Sequence, residues 1–406
     1  MGFQQGLSGL NAASRGLDVI GHNIANANTT GMKSSRAEFA ELYASNLGTG
    51  GGGNSPGIGV TTAAISQQFS QGNLSTTGND LDLAINGAGF YAVQMPSGEI
   101  NYTRAGTFKL DKDGNIVTNA GAKLQGNLFD PQTGAVSKGS LQLPTGKGIQ
   151  GQVTSTITAV ANLDTEAVVA SSTTPPTPVT KYGTSLTVYD TQGAAIPVGL
   201  YFQKTAANTW DVFADYPNGS STGTMGTALG SIAFDSAGKL TSGSPMTLTG
   251  VTVPGGATAA FDVALNLDGM TQNASSFYVS TLKQNGYAPG ELTGVKIEED
   301  GIITARYSNG ETQAAGQIVL ANFRNVQGLE PTSGTYWKET AASGAPLKNT
   351  PASGNFGKIA SGTLEDSNVD LTAELVNMMT AQRAYQANAQ TIKTQDQVMS
   401  TLVNMR

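Results

Sequence analysis

Both ends of this chain carry a helical pattern that the long stretch between them lacks. At the amino end, apolar side chains recur at alternating steps of four and three residues from Phe3 to Ile24, which predicts an amphipathic helix. At the carboxyl end the same spacing runs from Leu371 to Arg406 as a heptad register, with polar interruptions at Gln382, Asp396 and Arg406. Between them the chain has the pattern of short strands and turns. The sequence therefore predicts a mainly β fold with long terminal α-helices that form a coiled-coil-like pair.

The bounds of the two helices can be read from their flanking residues. The stretch from Asn28 to Gly31 should end the first helix. Before the second helix, Ser367 and Asp370 have the spacing of a capping box, and Asn368 is an alternative cap. The first helix also contains four glycines, each of which weakens an isolated helix by about 1 kcal/mol: Gly6, Gly9, Gly16 and Gly21.

One turn pattern recurs through the middle of the chain. An apolar strand end is followed by an acidic residue, two further residues, a glycine and an apolar restart. This spacing suits a type I turn whose glycine takes the left-handed bulge position of a hairpin. The pattern predicts hairpins at four places: Asp111–Gly114, Asp190–Gly193, Asp235–Gly238 and Glu298–Gly301.

The carboxyl-terminal helix has almost no charge on the face opposite its apolar seam. A helix that packs only on the core of its own domain normally exposes a charged outer face. A lone pair of the two terminal helices would be marginally stable, and neighbouring copies of the chain would supply the missing burial. We therefore predict a homopolymer whose interface consists of Phe3, Leu7, Leu10, Leu17, Ile24, Leu371, Leu375, Met378, Tyr385, Ile392, Met399 and Val403.

The composition argues against several kinds of site. The net charge of −7 disfavours a nucleic-acid-binding surface, which would carry a basic stripe. The absence of cysteine excludes disulfides and thiolate chemistry, and a single histidine, His22, excludes a multi-histidine metal site. Glu298 and Glu299 are adjacent, so on a strand they point to opposite faces unless the turn reorients them. We expect no catalytic residue, no cofactor and no metal.

Two further features concern glycine and the membrane. Gly48, Gly50 and Gly53 have the spacing of a nucleotide-binding loop, but no strand precedes them, so we interpret the stretch 48–59 as a flexible or irregular loop. The amino terminus lacks the pattern of a cleaved signal peptide, and no window approaches the roughly 18 apolar residues of a membrane span. The sequence thus predicts no membrane insertion.

Several stretches resemble the axial proteins of the bacterial flagellar rod and hook. GLNAASRGLDVIGHNIANANTTGMKSSRAEF is similar to the amino-terminal signature of this family, and SGNFGKIASGTLEDSNVDLTAELVNMMTAQRAYQANAQTIKTQDQVM to its carboxyl-terminal signature. DLDLAINGAGFYAV, YTRAGTFKLDKDGNIV and GQIVLANFRNVQGL resemble its inner β-domain. The segment from Gly148 to Tyr287 corresponds to a large central domain that distal rod members lack, so the resemblance is greater to hook members.

The resemblance implies a flexible tubular polymer that acts as a universal joint, passing motor torque to the filament. Its partners would be further copies of the chain, the rod, the hook cap, the hook–filament junction proteins and the type III export apparatus. The polymer would lie outside the cell, continuous with the basal body, and its subunits would be exported without a cleaved signal peptide. The terminal helices would surround a channel, and the side chains facing it would be Arg383, Gln390, Thr394, Gln397, Thr401 and Asn404.

The same resemblance implies two radially stacked β-rich domains outside the helices. The helical domain comprises residues 1–28 and 368–406, and a connecting segment comprises 29–72 and 355–367. The inner β-domain combines 73–148 with 287–354, and the outer β-domain spans 149–286. Three alternatives remain: a distal rod protein of the same family, a secreted β-rich adhesin, and a β-rich polysaccharide enzyme, which would need converging carboxylates.

Overall fold

The computed structural model describes residues 2–43, 57–129, 135–144, 148–170, 179–217, 228–253 and 259–404. The chain divides into two compact units. Unit 1 comprises Met1–Leu143, Val295–Ala305 and Gln313–Arg406, and unit 2 comprises Pro144–Gly294 and Arg306–Thr312. This division does not separate the terminal helices from the β-strands of unit 1, so the four-part domain organisation given above stays a prediction.

The first part of the chain forms helix α1 (Gly2–Ala25) and ten strands. The strands are β1 Ser35–Tyr43, β2 Gly57–Gln67, β3 Leu74–Thr76, β4 Leu83–Asn86, β5 Phe90–Gln94, β6 Ile100–Thr103, β7 Phe108–Leu110, β8 Ile116–Thr118, β9 Lys123–Phe129 and β10 Val136–Ser140.

The central segment carries β11 Thr156–Asp164, β12 Gly183–Tyr189, β13 Ala195–Ala206, β14 Thr209–Asp215, β15 Gly230–Phe234, β16 Leu240–Ser242, β17 Met246–Val251, β18 Phe261–Asn266, β19 Thr271–Asn273 and β20 Tyr278–Gln284. A short 3-10 helix lies at Val179–Lys181.

The returning segment contributes β21 Leu292–Ile297, β22 Ile302–Tyr307, β23 Thr312–Ile318, β24 Leu320–Asn322, β25 Glu330–Thr332, β26 Tyr336–Lys338, β27 Leu347–Asn349, β28 Lys358–Ser361 and β29 Thr363–Glu365. A 3-10 helix lies at Val326–Gly328, and helix α2 (Leu371–Asn404) ends the described chain. The fold is therefore mainly β with terminal helices, as predicted.

Strand β5 lies at the centre of unit 1, where the sheet order is β23-β9-β5-β6-β26-β25. Tyr91 and Val93 belong to one buried cluster of this unit. Phe90 and Ala92, which alternate with them along the strand, belong to another. Because side chains on a strand alternate between faces, both faces of β5 are covered. The second cluster is aromatic: the Phe90 ring lies 5.5 Å from that of Trp337, centroid to centroid.

Unit 2 contains two five-stranded sheets that share one core. One sheet has the order β17-β18-β11-β19, with β20 paired to β11, and the other runs β12-β13-β14-β15-β16. Alternate residues of β13 from Ile196 to Phe202 are buried, which is the period-two pattern of a strand with one face on a core. Trp210 from β14 is fully buried in that core, and its indole nitrogen donates to the Gln272 side chain.

All four predicted acid-x-x-glycine turns are present. In each turn the glycine nitrogen donates to the carbonyl oxygen of the acidic residue, at 2.9 or 3.0 Å. The four glycines have φ angles between +78° and +80°, the left-handed region that favours glycine. The turns join β7 to β8, β12 to β13, β15 to β16 and β21 to β22. The local sequence signal was therefore sufficient to predict these hairpins.

The cap of α2 differs from the prediction. Helix α2 begins at Leu371, so Asp370 is its N-cap, and the Asp370 Oδ1 atom accepts from the backbone nitrogens of Thr372 at 2.9 Å and Ala373 at 3.2 Å. The predicted capping role of Ser367 and the alternative cap at Asn368 were wrong, because both residues precede the cap. The side chain of Asn368 instead accepts from the backbone nitrogen of Ser34.

The predicted irregular loop 48–59 is partly corrected. Residues 48–56 lie outside the described residues, but Gly57–Gly59 belong to strand β2 and pair with the end of β1. A Cβ atom at Gly59 would lie only 2.2 Å from the Ser8 hydroxyl oxygen. Glycine is therefore required there for the strand to approach α1.

Candidate self-assembly surface

Helices α1 and α2 pack closely as an antiparallel pair. A Cβ atom added at Gly6 would lie 3.1 Å from Ile392 Cγ1, and one added at Gly9 would lie 2.9 Å from the Asn388 side chain. As residue numbers rise along α1 they fall along α2, which makes the pair antiparallel. The interpretation of these two glycines as only a weakness of α1 was incomplete, because their missing side chains leave room for Ile392 and Asn388 of α2.

The helix pair leaves much of its apolar surface uncovered. None of the described residues of α2 is buried. Among the predicted interface residues, Leu10, Leu17, Ile24, Met378 and Ile392 are half-buried. The others are between 38% and 71% exposed: Phe3, Leu7, Leu371, Leu375, Tyr385, Met399 and Val403.

The heptad reading missed further apolar residues. Val376, Met379, Val398 and Leu402 are also about half exposed or more. They lie one position from predicted seam residues, which widens the apolar surface from a narrow seam to a broad stripe. The density of apolar residues beside the seam was the available sequence signal.

Helix α2 extends past the beginning of α1. Since Gly6 lies opposite Ile392, the first residue of α1, Gly2, lies opposite a position near Asp396. Residues 396–404, which we call the tail, therefore have no α1 segment beside them. Val398, Met399, Leu402 and Val403 on the tail are 48%, 56%, 60% and 71% exposed. The tail is the least covered apolar part of the pair.

The predicted channel-facing residues are all exposed in the structure. Two of their hydroxyls are satisfied within the helix, since Thr394 Oγ1 donates to the Gln390 carbonyl oxygen at 3.0 Å and Thr401 Oγ1 to that of Gln397 at 2.8 Å. Arg383 and Asn404 complete the set. Their position along a channel therefore stays a prediction.

A shallow apolar groove of about 640 Å³ is bounded by α1, α2 and the β1–β2 hairpin. Small side chains line much of it, including Ala12, Ala13, Ala37, Ala381 and Ala384. The hairpin is held to α1 by Asn23, whose side chain bonds to both the backbone nitrogen and the carbonyl oxygen of Ser35. Two hydrogen bonds therefore hold the hairpin side of the groove against α1.

Three buried charged side chains connect the helices to the β-strands of unit 1. Lys33, Arg104 and Glu365 are 0%, 5% and 0% exposed. The Lys33 ammonium donates to Glu365 Oε1, and Arg104 Nη1 donates to Glu365 Oε2 at 3.1 Å. We call these residues the charge triad. Since the three lie far apart in sequence, the triad links chain segments following α1, after β6 and preceding α2.

Backbone groups complete the surroundings of the triad. The Gly72 nitrogen donates to Glu365 Oε1 at 3.0 Å, and Lys33 Nζ donates to the Ser70 carbonyl oxygen at 2.7 Å. Arg104 Nη2 donates to the Gly87 carbonyl oxygen at 2.7 Å. Burial lowers the pKa of Lys33, and its hydrogen bond to Glu365 acts in the opposite direction. Buried charges persist only when paired and hydrogen-bonded. Each of the three has an ion-pair partner here, while Arg104 Nε is buried without a hydrogen-bond partner among the described residues.

The adjacent acids Glu298 and Glu299 form separate exposed ion pairs. Glu298 contacts Lys296 at 2.9 Å, and Glu299 contacts Lys358 at 2.9 Å. The hydrogen bond from Lys358 lowers the pKa of Glu299. Among the described residues no group of acidic, histidine or cysteine side chains is arranged to hold a metal ion. Nor does any described helix combine the length and apolar character needed to cross a membrane.

Comparison with known proteins identifies the family. Curated flagellar hook proteins FlgE match this chain. That of Salmonella typhimurium is 41% identical over 415 residues, covering 100% of both chains. The corresponding protein of Escherichia coli is 40% identical over 417 residues, also with full coverage. The chain belongs to the flagellar hook protein family. It is a structural subunit of the bacterial flagellar hook, and the rod and adhesin alternatives are not favoured.

Domain models of the hook and rod families match in chain order. They are the flagella basal body rod protein (3–33), the flagellar hook protein FlgE/F/G D1 domain (84–160), the flagellar basal body protein FlaE D2 domain (162–287) and the flagellar basal body rod FlgEFG protein C-terminal region (360–405). Lys33, Arg104 and Glu365 fall in the first, second and last of these matches. The charge triad thus joins three separately recognised parts of a hook protein.

A solved hook protein has the same fold over much of the chain. The crystal structure of FlgE2 from Helicobacter pylori covers 72% of this chain and 100% of its own, with a TM-score of 0.56 at 15% identity. The family is structural, which fits the expectation of a non-enzyme. The hook is exposed outside the cell and continuous with the basal body.

Proposed function

We propose that the chain polymerises through its terminal helices into a flexible tube with a central channel, which acts as a universal joint between motor and filament. The observation that carries the proposal is the helix pair itself. Helix α2 buries none of its described residues in the single chain, although a broad apolar stripe runs along it. Apolar surface of this extent on a soluble protein typically marks an interaction site.

The proposal assigns different tasks to the parts of unit 1. The exposed apolar residues of α1 and α2 contact neighbouring copies, while Arg383, Gln390, Thr394, Gln397, Thr401 and Asn404 face the channel. A lining of polar and mostly uncharged side chains neither adheres to nor traps an unfolded chain in transit. The charge triad transmits force, because it ties the segments flanking both helices to the β-strands.

Partners and export follow from the same proposal. Further copies of the chain form the tube, and the rod, the hook cap and the hook–filament junction proteins contact its ends. The subunits leave the cell through the flagellar type III export apparatus without a cleaved signal peptide. The chain itself catalyses no reaction and requires no cofactor.

Electron microscopy of the purified chain under polymerising conditions tests the proposal. Long curved tubes with a central channel are the expected result. Short straight rods would favour a rod subunit instead. A chain that stays monomeric under conditions in which another hook protein assembles would contradict the proposal.

A further inference from the structure

We propose that the tail of α2, residues 396–404, from one copy docks into the apolar groove between α1, α2 and the β1–β2 hairpin of a second copy. This contact rests on the proposed polymerisation and specifies one of its interfaces. The shape of the groove, the position and chemistry of the tail, and one unpaired carboxylate oxygen support this contact.

The groove has room for the tail. Its lining on α1 extends from Gly9 to Asn23, which at 1.5 Å per residue is roughly 21 Å. The tail has a helical length of about 12 Å on the same basis. Where the groove is lined by alanines, a helix with larger side chains can approach closely, because large side chains pack into the spaces beside small ones.

The tail carries matching chemistry. Val398, Met399, Leu402 and Val403 occupy neighbouring positions on successive helical turns, so they form one apolar face. The tail contains no lysine or arginine, and Asp396, at its first position, is its single charged residue. Insertion of this face would therefore bury apolar surface without burying an isolated cation.

The tail of a chain cannot reach the groove of the same chain, so a tail that docks there comes from another copy. Along α2 the groove extends from Asn388 towards Glu374, whereas the tail continues in the opposite direction from Asn388. Helix α2 is continuous over this length, so its tail cannot fold back into the groove of its own chain. A neighbouring subunit is the occupant that a self-assembling hook protein supplies.

A buried carboxylate oxygen without a hydrogen-bond partner in the groove favours a groove that is filled by a second copy. Glu374 lines the groove, and its Oε2 atom is buried without a hydrogen-bond partner among the described residues. A buried acceptor left in this state is costly.

The cysteine-free sequence permits a direct cross-linking test. One chain carries Leu402→Cys in the tail, and a second chain, distinguished by the length of an affinity tag, carries Ala12→Cys in the groove. The two are mixed, assembled and oxidised. Any disulfide between chains of different length joins different copies. The control replaces Ala12→Cys with Val136→Cys, an exposed position on β10.

The expected result is a heterodimer at least about tenfold more abundant for the groove pair than for the control pair, since a disulfide requires Cα atoms within about 7 Å. Equal yields from both pairs, or tubes without the groove cross-link, would overturn the docking proposal alone. A Phe3→Cys chain that cross-links to Ala12→Cys in place of the tail would show that α1 occupies the groove, and would also overturn it.

A second variant keeps the test decisive if the cysteine chains assemble poorly. Ala12→Phe fills the groove and should reduce tube formation at least about tenfold while the monomer keeps its unfolding temperature, whereas Val136→Phe should assemble normally. Normal assembly of Ala12→Phe would overturn the docking proposal. Failure of the unmodified chain to form tubes would contradict the proposed function as well.

Discussion

Replacing Glu365 by glutamine tests how strongly the charge triad stabilises unit 1. The substitution keeps the length of the side chain and one acceptor oxygen for the Gly72 nitrogen, but it removes the negative charge between Lys33 and Arg104. Removing one partner from a buried ion pair costs about 3–5 kcal/mol, because the other charge stays buried and unpaired. With one acceptor retained, we expect a loss near the lower limit, about 3 kcal/mol.

The loss can be expressed as an unfolding temperature. In a domain of 150–250 residues, 1 kcal/mol corresponds to about 2–4 °C, so Glu365→Gln should lower the unfolding temperature of unit 1 by roughly 6–12 °C. Scanning calorimetry of the monomer measures this change. The transition of unit 2 should not move, since the triad lies in unit 1.

Glu299→Gln is the matched control. It makes the same chemical change in an exposed ion pair, whose carboxylate side chain is 74% exposed beside Lys358. Exposed pairs contribute little, so no measurable shift is expected. If Glu365→Gln lowered the unfolding temperature by no more than the control does, the triad would not be the stabilising connection described above.

Three further changes test other parts of the account in the monomer. Because the pKa of Lys33 lies below its ordinary value of 10.5, the unfolded chain binds more protons between the two values. The free energy of unfolding should therefore rise with pH in that window, and Lys33→Met should flatten the rise in urea titrations; equal slopes would contradict this. Gly9→Leu should destabilise unit 1 by about 1–3 kcal/mol, because the new side chain would separate the two helices. A Cβ atom at Gly21 meets no atom within 4 Å, so Gly21→Ala should stabilise unit 1 by up to about 1 kcal/mol, and stability changes of the same sign for the two variants would refute the close approach of the helices at Gly9. Gly238 and Gly250 both have positive φ, but only a Cβ atom at Gly238 would meet a backbone carbonyl oxygen. Gly238→Ala should therefore destabilise unit 2 by more than the 1–2 kcal/mol or so expected for Gly250→Ala, and equal losses of stability would disprove the steric clash at Gly238.

The features that the sequence predicted well are local. The acid-x-x-glycine turns depend on four consecutive residues whose backbone preferences agree, so hairpins such as Asp235–Gly238 could be predicted from the sequence alone. The terminal helices have long periodic patterns, which placed them within a few residues of their bounds. The cap of α2 was harder, because Ser367, Asn368 and Asp370 are all good cap residues and only the backbone path selects among them.

The features that the sequence did not predict depend on tertiary contacts. Nothing in the spacing of Lys33, Arg104 and Glu365 indicates that they meet, since two of them lie 332 positions apart. The role of Gly6 and Gly9 depends on which face of α1 contacts α2. The apolar pattern of α1 in the sequence does not indicate where a face of small residues will pack. The exposure of the tail likewise depends on the register of the helix pair. Because α1 begins opposite a position near Asp396, the part of α2 beyond that position has no partner helix.

The proposed function requires that the terminal helices, and not the predicted outer β-domain of residues 149–286, drive assembly. Electron microscopy of two deletions under the same polymerising conditions tests it most directly. Removing residues 149–286 should leave tubes, of smaller outer diameter, because the apolar stripe and the groove remain. Removing residues 377–406 should abolish tubes, because most of that stripe and the whole tail are lost. Tubes formed by the chain without residues 377–406 would show that the terminal helices do not drive assembly.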